Sequence, residues 1–423
     1  MLEPFLTRLR GETITPTAKG LPERAYGATV ADFLRTAPRI EDFWTPLVAL
    51  NDEAMRRNLD LLAGWTSERG LEFMPHGKTM MAPSLWQRQL DAGAAGISLA
   101  TLGQVRMGRT AGLRVIQLAN EALDPNGLAW LAGELHDEEF EFTCWVDSLE
   151  GIQIMEAALE QARAPRKLNV LIELGVSGGR TGVRGLPAAR ELAERVAASR
   201  WLRLSGVSGY EGVVGGKRTP EILTGVQEFL AQQVELHHSL ADLYDDGPLL
   251  VTAGGSAFFD QVAAAYTRGR EGAPEGTSWV IRSGAYLTHD EGHYRGLSPL
   301  DEDVISGGAA LRPALTGYAR VLSAPEPGLV LADAGRRDLP YDIHLPFLRG
   351  NAATLAGPFQ PIDGEVTGLN DQHAFVSISG QNPPVGSVLS FGISHPCTTF
   401  DKWVYLPVVD ADGQVVDLVR TFF

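Results

Sequence analysis

The chain has 423 residues, 44% of them hydrophobic, the make-up of a folded protein too long for one ordinary core. A formal charge of −16 repels phosphate backbones and excludes nucleic acid as an expected partner. Two cysteines, Cys144 and Cys397, cannot make a disulfide framework, and no apolar run reaches the roughly 20 residues that span a bilayer. The opening segment carries Glu3 and Arg8 and lacks an apolar signal core, so no membrane partner and a cytoplasmic location are expected.

Residues 1–45 hold prolines, glycines and scattered apolar positions without a period, and read as an irregular arm. Asn51 is placed to cap a helix with Asp52 and Glu53 in its first turn and Met55, Leu59 and Leu62 on one face. A strand-then-helix alternation then repeats eight times, the pattern of a parallel sheet built from crossover units. The expected strands are Leu71–Pro75, Gly96–Ala100, Val115–Ala119, Glu141–Val146, Asn169–Leu174, Arg203–Ser208, Leu249–Ala253 and Trp279–Ile281. The clearest helix opens at Thr219 as N-cap, with Pro220 in its first turn and a stripe through Val226, Phe229, Leu230 and Leu236. Eight such units predict an α/β fold with a closed (β/α)8 TIM-type barrel over residues 46–295, rather than an open doubly wound sheet. Beyond it the helical period stops. Short β-branched runs near Ala319–Leu322, Leu329–Leu331, Gly364–Thr367, Phe375–Ile378, Val388–Phe391 and Trp403–Pro407 predict a separate, mainly antiparallel β domain.

Several residue groups fall just past the expected strand ends, where a barrel gathers its chemistry. Lys78, beside His76 and Gly77, is an amine at the lip of the first strand; partly desolvated it deprotonates readily and attacks a carbonyl, whereas fully solvated it is a surface charge. Arg180 sits in the glycine-rich turn Gly175–Gly182, as either a ligand-facing cation or a solvated one. Tyr210 follows the sixth strand, at the site or as ordinary core. Gly254, Gly255 and Ser256 end the seventh strand just before a helix start and offer an anion cradle. His395 and Cys397, one residue apart, suit one borderline-soft ion such as Zn2+ and leave open positions on it; the alternative is a buried thiol beside a turn histidine.

The run Pro75-His76-Gly77-Lys78-Thr79, followed by Ala82 to Gln104, resembles the start of the fold-type III pyridoxal-phosphate enzymes that act on D-amino acids. These are the D-threonine aldolase and D-serine dehydratase relatives of the alanine racemase barrel. Met74 and Met80 stand where that family usually has an arginine and a histidine. The resemblance implies that Lys78 carries pyridoxal 5'-phosphate, with His76, Arg180 and Tyr210 at the cofactor. It places Gly254, Gly255 and Ser256, and on a second side Ser283, Gly284 and Tyr286, around its phosphate. His395 and Cys397 are similar to the metal pair of D-serine dehydratases, where aldolases tend to show His-x-Asp; Zn2+ is implied, with Mn2+ as the other ion. Asp371-Gln372-His373 is similar to a family Glu-His signature. The arm 1–45 is expected to join residues 296–423 in the β domain that carries the metal site. The implied activity is a D-hydroxyamino acid dehydratase, turning D-serine into pyruvate and ammonia, in a homodimer whose β domain meets the partner's barrel mouth. The alternatives are retro-aldol cleavage of the D-threonine aldolase type and, from another class, a non-catalytic pyridoxal-phosphate-binding protein.

Overall fold

The computed structural model describes residues 2–305 and 307–423. Eight parallel strands form a ring in the order Glu72–Phe73, Thr277–Ile281, Leu249–Ala253, Leu202–Gly209, Leu168–Gly175, Glu141–Val146, Val115–Glu121 and Ile97–Leu99. A parallel bridge between His76 and Ser98 joins the last strand to the first and closes the barrel beside Lys78. Along each strand one set of alternate residues, such as Ile97, Leu99, Ile116 and Leu118, packs into the apolar core. Those between them are largely polar and bond across strands: Ser98 Oγ meets Gln117 Oε1 at 3.2 Å and Arg282 meets Thr252 Oγ1 at 2.6 Å. These polar side chains satisfy one another inside the barrel, as buried polar groups must.

The helices start where their chemistry says they should. Asn51 Oδ1 accepts the Ala54 amide at 2.8 Å and caps Asp52–Glu68, and the Thr219 hydroxyl accepts from Ile222 to open Pro220–Ser239.

The second layer is a ten-stranded sheet that includes Leu315–Glu326, Leu329–Ala332, Gly364–Leu369, Ala374–Ile378, Val388–Gly392 and Tyr405–Val409. Three of its strands lie outside the expected runs: Phe347–Ala352, Gln360–Pro361 and Val415–Arg420. Leu47–Asn51, placed by the sequence in the barrel, belongs here instead. It pairs antiparallel with Leu315–Glu326 and parallel with Tyr405–Val409. The barrel segment therefore begins with the helix at Asp52 rather than at residue 46. The arm is not irregular either, since it carries helices Glu3–Arg10 and Val30–Arg35. Its Ile14, Leu21, Val30 and Phe33 form a small core with Leu47, Val388, Tyr405 and Val415 of the sheet.

Candidate active site

The first strand stops at Phe73, and the chain makes a tight turn at Gly77–Thr79 that lifts Lys78 onto the barrel mouth. Trp86, fully buried on the next helix, donates its indole N–H to the Gly77 carbonyl at 3.2 Å. A Cβ on Gly77 would lie 2.7 Å from both that nitrogen and Ile97 Cγ2, so only glycine lets the turn sit so low. The position of Lys78 is thus fixed by a backbone-to-core contact.

Above the turn lies a cavity of about 430 Å³. Its walls include His76, Lys78, Arg180, Tyr210, Gly254, Gly255, Ser256 and Gly284, and its far side includes His395 and Cys397 of the β sheet domain. Cys397 Sγ reaches to 3.5 Å from Thr79 Oγ1, the residue next to Lys78. Both halves of the site come from one chain, so a partner's β domain is not needed to bring the metal pair to the lysine.

Several residues singled out in the sequence are elsewhere. Tyr286 turns away from the cavity and is held in the barrel wall by Gln89 at 3.2 Å and by an edge contact with Phe73, because the short helix Ala285–Leu287 rotates it inward. Ser283 is buried behind the lining, donating to the Gly255 carbonyl at 3.1 Å. Asp371, Gln372 and His373 form an exposed turn away from the site. The Gly-Gly-Ser turn is also used differently from a bare anion cradle. The buried carboxylate of Glu211 accepts the amides of Gly254 and Gly255 at 2.9 and 2.7 Å, and Ser256 Oγ accepts the Ala285 amide at 3.3 Å, which leaves the Ser256 O–H on the cavity wall for a ligand.

Arg282 lines the cavity although its neighbours Ser283 to Tyr286 drew attention in the sequence. Its guanidinium is buried, donating to Thr252 and to the Gly209 carbonyl at 2.7 Å, over the Trp145 ring. Thr79, the last residue of the Pro75–Thr79 run, also lines the cavity, and Trp145 and Tyr294 are lining residues without a sequence signal. Arg180 stacks on the Tyr210 ring at 4.5 Å, and a Cβ on Gly255 would reach within 2.7 Å of that ring.

Charge follows from this enclosure. Burial lowers the Lys78 pKa below its ordinary 10.5, and Arg180 and Arg282 push the same way while Cys397 opposes them. The side chain is exposed to the open cavity while protein surrounds it on most sides, so its amine is partly desolvated. Burial, with Lys78 and Arg282 nearby, drives His76 well below the usual histidine range and leaves a neutral ring. Burial raises the phenol of Tyr210. For His395 burial lowers the pKa, but contacts with Cys397 and Asp342 outweigh it and carry the ring to about 9.

Beside the cavity three carboxylates, Glu121, Asp147 and Glu173, hold ligand atoms within 4.8 Å of one another at the ends of adjacent strands. Burial, followed by Glu173, raises Glu121 to about 8, so one proton stays in the group at neutral pH. The regular placement of acids at three successive strand ends was the one sequence signal available for it.

With this geometry established, the chain can be set beside known proteins. Residues 50–273 match the alanine racemase N-terminal domain and residues 314–409 a serine dehydratase domain. The chain is 28% identical over 381 residues to a D-threonine aldolase from Arthrobacter sp, covering 88% of this chain and 91% of that protein. It is 26% identical over 388 residues to a D-threo-3-hydroxyaspartate dehydratase from Delftia sp. (strain HT23), covering 88% and 95%. A solved D-threo-3-hydroxyaspartate dehydratase, a cysteine-to-alanine variant in the metal-free form, superposes with a TM-score of 0.70 at 23% identity, covering 91% of this chain and 99% of that one. Among the described residues no helix is long and apolar enough to cross a membrane. A match across more than half of the sequence, on a barrel that carries a lysine at its mouth, makes this chain a member of the alanine racemase N-terminal domain family of fold-type III pyridoxal-phosphate enzymes.

Proposed function

We propose that the cavity holds pyridoxal phosphate on Lys78 and that the protein is a metal-dependent lyase of D-β-hydroxyamino acids. Its leading reaction is dehydration, with D-serine giving pyruvate and ammonia. The observation that carries this reading is the meeting of a desolvated amine, Lys78, with a His–Cys pair, His395 and Cys397, across one cavity.

The residues suit the cofactor. His76 Nδ1 and Trp145 Nε1 are buried polar atoms without a protein partner, both from residues on the cavity wall, and a polar ligand is what satisfies such atoms. Ser256 and Gly284 offer a place for phosphate, Gly284 being small enough that the chain passes His76, whose carbonyl would lie 2.6 Å from an added Cβ. When bound, pyridoxal phosphate supplies an electron sink for charge released at the substrate's α-carbon. Lys78, whose neutral form is favoured by its surroundings, then takes the α-proton at Nζ as general base. Arg180, at the mouth and stacked on Tyr210, offers a cation for the substrate carboxylate. Arg282 stays charged deep in the wall, and neutral His76 adds no further positive charge.

His395 and Cys397 would hold a divalent ion, which supplies Lewis acidity at the β-hydroxyl. A nitrogen and a sulfur donor favour Zn2+ over Mn2+. The cysteine favours dehydration, since the His-x-Cys pair resembles the metal pair of D-serine dehydratases where aldolases tend to show His-x-Asp. The identity to a D-threonine aldolase across 88% of this chain favours a second reading, cleavage to glycine and an aldehyde. Incubation with D-serine, D-threonine and D-3-hydroxyaspartate, following ammonia, keto acid and aldehyde together, separates the two. Keto acid and ammonia from D-serine support dehydration; glycine plus aldehyde without ammonia contradicts it. The absence of any turnover would favour a non-catalytic cofactor-binding protein. A homodimer is part of the proposal, supported by the exposed apolar residues Tyr341, Ile343 and Phe347 beside the metal loop; a monomeric mass in sedimentation would remove it.

A further inference from the structure

The structure assigns a positioning role to Asp342, a residue that no motif singles out: it orients His395 for metal binding. This inference rests on the proposed metal site and adds a residue to it. Asp342 Oδ2 lies 2.7 Å from His395 Nδ1, and Asp342 Oδ1 accepts the Thr398 hydroxyl at 2.7 Å. The carboxylate therefore uses one oxygen on the ring and the other on a residue three positions along the same turn. With Nδ1–H donated to Asp342, the ring that takes an ion is the neutral tautomer whose Nε2 lone pair faces it, the Nε2 proton being released as the ion binds.

The surrounding chain keeps this arrangement in register. Ser394 Oγ donates to the His344 carbonyl at 2.7 Å, tying the loop of Asp342 to the loop of His395, and Thr399 Oγ1 donates to the His395 carbonyl at 2.8 Å. A histidine whose second nitrogen is held by a carboxylate binds metal with a fixed tautomer and raised basicity, and loss of such a partner typically weakens binding 10- to 100-fold. The Asp342 side chain is 39% exposed. Water competes with it, so the effect belongs at the low end, about tenfold.

The test is zinc affinity of the pyridoxal-phosphate-loaded enzyme, measured by competition with a chromophoric chelator. Asp342→Ala is expected to raise the zinc Kd about tenfold, and Asp342→Asn, which still accepts a hydrogen bond but lacks the charge, to fall between. The thermal midpoint and the cofactor absorbance are expected to match the parent in both. His395→Ala serves as the reference. If His395→Ala binds zinc as tightly as the parent, the metal reading itself fails. If His395→Ala loses zinc while Asp342→Ala keeps the parent affinity, the metal site stands and the role of Asp342 is overturned. Should Asp342→Ala misfold, Thr398→Val supplies the second variant, with a smaller rise in Kd expected and no change contradicting the assignment.

Discussion

The two halves of the cavity are built in different ways. The lysine half stands on the ends of parallel strands, its turn pinned by Gly77 against Trp86, whereas the metal half is carried by loops of the β domain tied together by Ser394, Thr398 and Asp342. Backbone held against a close-packed core tolerates little change. Side-chain ties between loops can be cut one at a time. The comparison predicts that damage to the support under the first half costs fold and cofactor together, that loss of its amine costs cofactor, and that damage to the second half costs metal alone.

The largest effect follows from removing the amine. Lys78→Ala is expected to lower turnover by three orders of magnitude or more, at the upper part of the range for a general base, and to abolish the near-visible absorption band. Circular dichroism is expected to stay unchanged, because Lys78 points into the cavity. A retained band would place the cofactor elsewhere.

Trp86→Ala tests the support under that amine. Emptying a fully buried tryptophan site costs about 3–5 kcal/mol, and the Gly77 carbonyl loses its donor. Denaturant unfolding is expected to report that loss, together with weaker cofactor retention. Full stability would mean that the turn is held by something else.

The opposite half is checked by removing metal. Chelation is expected to stop dehydration while the cofactor spectrum and the thermal midpoint remain. A loss of cofactor on chelation would show that the halves are not separable.

Two pH measurements sharpen the comparison further. The depressed pKa of Lys78 means that its neutral form accumulates at lower pH than for a free lysine. The rate of cofactor uptake by the apoprotein is expected to rise with pH and level off below 10.5. A midpoint at or above that value would contradict the desolvation argument.

Glu121 has the smallest expected effect. Its folded pKa of about 8 lies above the ordinary 4.5, so its stability contribution is full below 4.5 and is lost as pH rises towards 8. Glu121→Gln is expected to raise the melting temperature at pH 8 by roughly 1–3 °C and to leave it unchanged near pH 4.5. An equal shift at both would assign the gain to packing.

How much of this could be read from the sequence divides along the same line. Barrel strands are short apolar runs before glycine or polar turns, and each is recognisable because its helix-facing residues repeat locally. Leu47–Asn51 was missed because it runs into its helix with no turn residue between, Asn51 ending one element and capping the next. Lys78 stood out through the resemblance of the run Pro75 to Thr79, since its place at a strand end is equally that of a solvated surface charge. Arg282 was passed over because the glycine and serine after it looked like the phosphate contacts, although the arginine itself lines the cavity. Tyr286 was misplaced since spacing does not disclose which way a short helical turn rotates its side chains. Asp342 was out of reach because its partner lies 53 residues away and the contact exists only once the two loops meet.

The central claim is a covalent attachment at one nitrogen, and borohydride reduction of the loaded enzyme followed by peptide mass spectrometry tests it most directly. The account predicts a pyridoxyl mass on the peptide containing Lys78 and on no other lysine peptide. A tag on a different lysine, or none at all, would contradict it.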